Sequence, residues 1–144
     1  MTIQAHLVAD SINPSGNRLS TWVLKYPRSI HSELMTHRSF SRNSASSRAI
    51  PISKMIQRVL DDPFIPHVWG KAQPGMQADE EVDAETQRRA ERLWLKARDE
   101  VVDVIRGHSP DGNLLQLGLH KQVVNRLLEP WMHIEVVVSA TEWQ

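Results

Sequence analysis

Apolar positions along the chain follow two periods. Near the start they alternate, with Ile3, Ala5, Leu7 and Ala9 two apart, so 3–10 is predicted to be a strand. Asn13-Pro14-Ser15-Gly16-Asn17 has the composition of a turn. A second strand is predicted over 19–26 around Trp22, Val23 and Leu24, pairing with the first as an antiparallel hairpin. Pro27 has no amide hydrogen for a ladder but suits the first turn of a helix. A helix is therefore predicted over 28–37, with Ile30, Leu34 and His37 on one face.

Helical spacing dominates the rest. After a short extended piece at 49–52, Ser53 is placed to cap a helix running to about Asp61, with Met55, Ile56, Val59 and Leu60 inward. Residues 62–79 hold Pro63, Pro66, Gly70, Pro74 and Gly75 and read as a loop, held down by Phe64, Ile65, Val68 and Trp69. Asp83 is predicted to cap a long helix over 84–106, with Ala90, Leu93, Trp94, Ala97, Val101, Val104 and Ile105 inside and Gly107 as the residue that ends it. Acidic residues at its start and Arg106 at its end suit the helix dipole. A short helical piece is predicted at 114–117, a helix over 119–129 stopped by Pro130, and a strand over 132–140 around Val136-Val137-Val138. Thr141-Glu142-Trp143 then reads as a helix opening just before Gln144. These elements predict an α+β fold, an antiparallel sheet packed with helices, and 144 residues fit one domain spanning 1–144. The tryptophans Trp22, Trp94 and Trp131 are expected in the core or at a subunit interface.

Charge changes this picture locally. The formal net charge is zero, so the chain as a whole does not attract polyanions. Yet from Lys25 to Arg58 the basic residues Lys25, Arg28, Arg38, Arg42, Arg48, Lys54 and Arg58 face only Glu33, whereas Asp79, Glu80, Glu81, Asp83 and Glu85 form an acidic run. With no cysteine, disulfides, zinc–thiolate sites and a thiol nucleophile are excluded. His108, His120 and His133 make no zinc pattern, and no metal site is expected. No apolar run spans a bilayer and no secretory pattern opens the chain, so a cytoplasmic, non-membrane protein is expected.

The richest chemistry lies in Thr36-His37-Arg38-Ser39-Phe40-Ser41-Arg42-Asn43-Ser44-Ala45-Ser46-Ser47-Arg48. It is too polar for a core strand. Guanidinium forks, short hydroxyls and backbone N–H groups so closely interleaved can serve an anionic ligand. Taken by themselves, these residues also suit a solvated turn with surface arginines.

His37-Arg38, Asn43, Ser46 and Arg48 resemble the signature of the flavin-dependent thymidylate synthases: Arg-His-Arg, seven free positions, Ser, and an Arg two residues later. Pro27 leading into a segment that carries Glu33 fits upstream. His120-Lys121-Gln122-Val123-Val124-Asn125-Arg126-Leu127-Leu128-Glu129-Pro130 is similar to the family's second element, a helix bearing an Arg followed by Pro and a strand. The variant with Thr36 in first place, together with Asn-Arg-Leu-Leu-Glu-Pro and Thr141-Glu142-Trp143, resembles phage-type members, which would work in the bacterial host cytoplasm.

The resemblance implies a flavoprotein methyltransferase. It would methylate dUMP at C5 to give dTMP, with methylenetetrahydrofolate supplying the carbon, FAD carrying it with the hydride, and NADPH reducing the flavin. The flavin-free thymidylate synthases need a cysteine that this chain lacks. By the same resemblance His37, Arg38, Ser39, Asn43 and Ser44 would meet FAD. Glu33, Ser46, Ser47 and Arg48 would hold the nucleotide, joined by Arg126 from another subunit of a homotetramer. Two departures stand out: Thr36 replaces the usual first Arg, and Ser44 stands where the family commonly has Glu. The family also continues into a helical element whose Arg polarises the pyrimidine. That Arg is expected beyond Gln144, which leaves no catalytic residue assigned within the chain. A weak or inactive chain, a C-terminal truncation, or a second polypeptide supplying the element is therefore expected. Two other classes fit the basic segment: a non-enzymatic nucleotide- or nucleic-acid-binding module, and an assembly partner of a complete synthase.

Overall fold

The computed structural model describes residues 3–143. It divides into two compact units, one made of Met1–Phe64 with His120–Gln144 and the other of Ile65–Leu119. The first unit holds a four-stranded antiparallel sheet of order β1-β2-β4-β3. Strand β1 (Gln4–Ile12) and β2 (Arg18–Pro27) form the predicted hairpin. Its turn is closed by Asn13, whose backbone oxygen accepts from Gly16 N (2.9 Å) and whose side-chain oxygen accepts from Asn17 N (2.9 Å). The left-handed φ of +83° falls on Gly16, which carries no Cβ to resist it.

Strand β4 (His133–Ala140) lies between β2 and the short edge strand β3 (Ser41–Ser44), so its backbone is paired on both edges. Ile134, Val136, Val138 and Ala140 are buried while Glu135 and Val137 are exposed, the period of a sheet with one covered face. Ile134, Val136 and Val138 form a core with Tyr26, joined by Leu24, Leu34 and Phe40. Each such burial is worth about 1.5–3 kcal/mol as an upper bound. The expected α+β class is what the chain adopts.

Three segments differ from the sequence reading. Residues 28–37 do not form one helix. Arg28–Ile30 is a 3-10 turn, followed by a single α-turn, α1 (His31–Leu34). Only Leu34 of the predicted face reaches the core, whereas Ile30 and His37 are exposed. So little apolar burial does not repay helix propagation. The helix predicted to be capped by Ser53 opens two residues earlier, as α2 (Ile52–Asp61) with Pro51 in the cap position, and buries Met55, Ile56 and Val59. In place of a helix over 119–129 there is one α-turn, α4 (Lys121–Val124), continued by the 3-10 segment Asn125–Trp131. Pro130 lies inside that segment and does not stop it. Its ring and missing N–H forbid the α pattern, but the 3-10 winding accommodates them. Trp131 is buried, as expected, and Trp22 is half-buried.

In the second unit α3 (Ala84–Arg106) has the predicted bounds. Asp83 caps it, one carboxylate oxygen accepting from Glu85 N (3.0 Å) and Thr86 N (2.9 Å). Those bonds, the one from the Thr86 backbone foremost, hold its carboxyl below the usual value. Of the predicted inward set only Ile105 is buried, while Leu93 and Val104 are exposed; Val102, outside that set, is buried with Ile105. Gly107 keeps a negative φ (−76°), so it ends the helix by close approach and not by a left-handed turn. A Cβ there would stand 2.6 Å from the Asp103 carbonyl oxygen. In the loop, Trp69 meets Trp94 edge-on at 6.4 Å, while Val68 is exposed and holds nothing down. Residues 114–117 are turns, organised by Asn113 through Gly107 O (2.8 Å) and Gln116 N (3.0 Å). No helix opens at Thr141. Residues 141–143 are irregular, and Gln144 lies outside the described residues. Among the described residues no helix is long and apolar enough to cross a membrane.

Candidate functional site

The polar segment 36–48 is organised around β3. An edge strand pairs on one side only, which is why so hydrophilic a sequence can enter a sheet. Its four residues place about 13 Å between the turn before it and the turn after it. The predicted ligand-holding residues therefore fall into two stations, with His37, Arg38 and Ser39 at one end of the strand and Ser46, Ser47 and Arg48 past the other. Asn43 and Ser44 lie between them, paired with Val137 and Val136, and project to opposite faces of the sheet.

The first station is exposed at His37, Arg38 and Ser39. Arg42 does not point outward as one of its ligand forks. Its Nη1 donates to the carbonyl of Leu34 (2.9 Å), which also accepts from His37 N (3.2 Å), and to that of His37, tying down the backbone where α1 ends. The His37 ring stacks on Phe40, with centroids 5.4 Å apart and planes 24° apart. Thr36 turns its hydroxyl back onto the Glu33 carbonyl (2.7 Å), and the Glu33 side chain is exposed on α1. Below them the Tyr26 hydroxyl lies 2.8 Å from His31 Nδ1. Burial first, then the Arg28 and Arg42 charges, hold the His31 imidazole below its usual value.

At the second station Ser46 Oγ accepts from Arg48 N (3.2 Å), and Ser46 and Arg48 stay exposed while Ser47 is buried. The loop is fastened from far along the chain. The fully buried Asn125 donates through Nδ2 to the carbonyls of Ser47 (2.9 Å) and Ile50 (3.0 Å). The next residue, Arg126, is exposed. Glu129, three residues further on, pairs with Arg28 Nε at 3.1 Å. Thus the two motif elements, 78 residues apart at Asn125 and Ser47, share one buried hydrogen-bonded junction.

Beside Ser47 lies a cavity of about 250 Å³, bordered by Lys25, Arg28, Arg58, Asp62, His133 and Glu135 among others. Sequence reasoning picked none of these six as site residues. The cluster of basic residues over 25–58 was the one signal that pointed toward three of them. Lys25 Nζ pairs with Asp62 Oδ2 at 3.1 Å, and His133 Nδ1 stands 4.0 Å from the same oxygen. Burial above all pushes the His133 imidazole down, although Asp62 opposes this. Charges of both signs line the cavity, so it suits a small polar group and not a polyanion. Its volume lies below the roughly 300–1,000 Å³ of whole-ligand pockets, so this cavity does not enclose a dinucleotide such as FAD. No group of three or more metal-ligating side chains comes together among the described residues.

No protein-family model and no curated protein matches the sequence. Solved structures do match the fold. The chain is similar to a UMP/dUMP methylase, PolB, from Streptomyces cacaoi bound with 5-Br UMP, at TM-score 0.67 and 14% identity, over 96% of this chain and 71% of that one. With the same methylase bound with 5-Br dUMP the TM-score is 0.70 at 13% identity, over 96% and 72%. At that identity the likeness establishes the fold alone: the chain shares its α+β architecture with that protein.

Proposed function

We propose that the chain is a thymidylate synthase-like nucleotide methylase of the flavin-dependent kind, binding dUMP and FAD. One observation carries the reading. The His37–Arg48 segment and the Asn125–Arg126 element each resemble part of the flavin-dependent family's signature, and they meet at the Asn125 junction. The shared fold with a protein described as a UMP/dUMP methylase supports the same class.

In this reading His37, Arg38 and Ser39 hold FAD at the first station, with Asn43 and Ser44 along its edge. Ser46, Ser47 and Arg48 hold the nucleotide at the second station, assisted by Glu33. Exposed guanidinium and hydroxyl donors suit a phosphate, and an Arg can offer it two parallel bonds. Arg126, exposed beside the junction, serves a neighbouring subunit's nucleotide in a tetramer. FAD, when bound, carries the one-carbon unit and hydride, with NADPH and methylenetetrahydrofolate as co-substrates. The residues of this chain bind and orient; a cysteine attack on the ring is unavailable to them.

The test is a visible-absorbance titration of the purified chain with FAD, and calorimetry with dUMP, UMP and dTMP. Flavin binding together with dUMP binding supports the proposal. Failure to bind either at high micromolar ligand, with the fold intact by circular dichroism, refutes it.

A further inference from the structure

An aromatic row runs from β2 to the first station without a gap. Trp22 on β2 meets Trp143 edge-on, with centroids 6.4 Å apart and planes at 77°. Trp143 lies tilted on Phe40 at 5.2 Å, and Phe40 stacks on His37 at 5.4 Å. The row is anchored at one point. The Trp143 indole N–H donates to the hydroxyl of Ser20, a buried residue of β2, at 2.8 Å. Trp143 also borders the apolar surface formed by Ala5, Leu7, Trp22 and Leu24.

The turn over 36–40 has little else to fix its side chains. Arg42 fixes its backbone through two carbonyls. His37 itself is exposed, and its ring plane is set by Phe40. Phe40 in turn has the core on one side and Trp143 on the other. A ring wedged between two partners keeps one rotamer, whereas a ring with one partner does not.

We infer that Trp143 is a positioning residue: anchored on Ser20, it holds Phe40 and through it sets the orientation of the His37 imidazole. The consequence for ligand binding rests on the reading that His37 meets the flavin. In that case Trp143, which follows the last strand, tunes flavin affinity without touching the flavin.

Two measurements on the full chain separate the claims. In the absence of flavin, NMR of the His37 ring protons reports the Phe40 ring current, His37 being assigned by comparison with His37→Gln. Trp143→Ala is expected to move these resonances toward the free-imidazole position, Trp143→Phe to leave them near wild type, and Ser20→Ala to give an intermediate shift. In FAD titrations, Trp143→Ala is expected to raise the Kd roughly three- to tenfold, the worth of one aromatic contact, and Trp143→Phe to restore it. Unmoved His37 resonances in a folded Trp143→Ala variant overturn the inference. If that variant does not fold, unmoved resonances in Ser20→Ala do so. Moved resonances with an unchanged Kd overturn the role in flavin affinity. A wild type that binds no FAD defeats the functional proposal, and the resonances still decide whether Trp143 positions His37.

Discussion

Asn125 offers the sharpest test of how the second station is built. The perturbation is Asn125→Ala. It removes two donor bonds, to Ser47 O (2.9 Å) and Ile50 O (3.0 Å), from a side chain with no exposure. Two such bonds contribute about 1 kcal/mol each, and stranding their carbonyls costs about 1–3 kcal/mol apiece where water cannot reach. Two features reduce the loss. Ser47 O still accepts from Ile50 N at 3.4 Å. Asn125 Oδ1 is buried without a hydrogen-bond partner among the described residues, so its removal relieves a penalty of similar size. The balance is a destabilisation of roughly 2–3 kcal/mol, or about 6–10 °C in Tm for a chain this long. Urea unfolding followed by circular dichroism measures it. Because the loss concentrates on the loop carrying Ser46 and Arg48, dUMP affinity in the folded variant is expected to fall together with stability. A change under about 0.5 kcal/mol would show that the junction does not fasten the loop.

The remaining predictions concern the first station and its surroundings. Arg42→Met leaves the carbonyls of Leu34 and His37 without their guanidinium donor, so a loss of about 1–2 kcal/mol is expected. It also removes a positive charge that helps depress His31, so the His31 pKa by NMR should rise; a drop would contradict the assigned cause. His31 and His133 both sit below their ordinary value of 6.5, chiefly through burial. Above that value both are neutral whether the chain is folded or not, and their contribution is whole. As the pH falls below it the unfolded chain takes up protons first, so stability is lost progressively until the folded imidazoles titrate too. Tm is expected to decline as the pH falls below 6.5, and a flat profile would count against buried neutral imidazoles.

The station geometry also bears on what the segment can recognise. A single anion would need its donors convergent, but His37–Ser39 and Ser46–Arg48 stand at opposite ends of an edge strand. Two ligands, or one extended ligand, match that spacing. Arg42 illustrates the difference between composition and placement. It sits among exposed arginines in the sequence, yet its guanidinium is spent on two backbone carbonyls of the preceding turn.

Local physics made part of this protein legible in its sequence. Alternation fixed the hairpin and the last strand, and a capping aspartate followed by 23 helical residues fixed α3, because each rests on contacts within a few residues or on one covered face. The two motif elements were visible for the same reason, as fixed spacings of side-chain types. The tertiary structure decided what local preference leaves nearly balanced. The segments after Pro27 and after His120 broke into short turns because little of their surface is buried or because a proline forbids α geometry. A polar run became an edge strand because β4 offered it one free side. Asn125 meeting Ser47, and Trp143 meeting Phe40, are contacts between residues 78 and 103 positions apart. No window of sequence contains both partners of either pair, so only the folded chain brings them together.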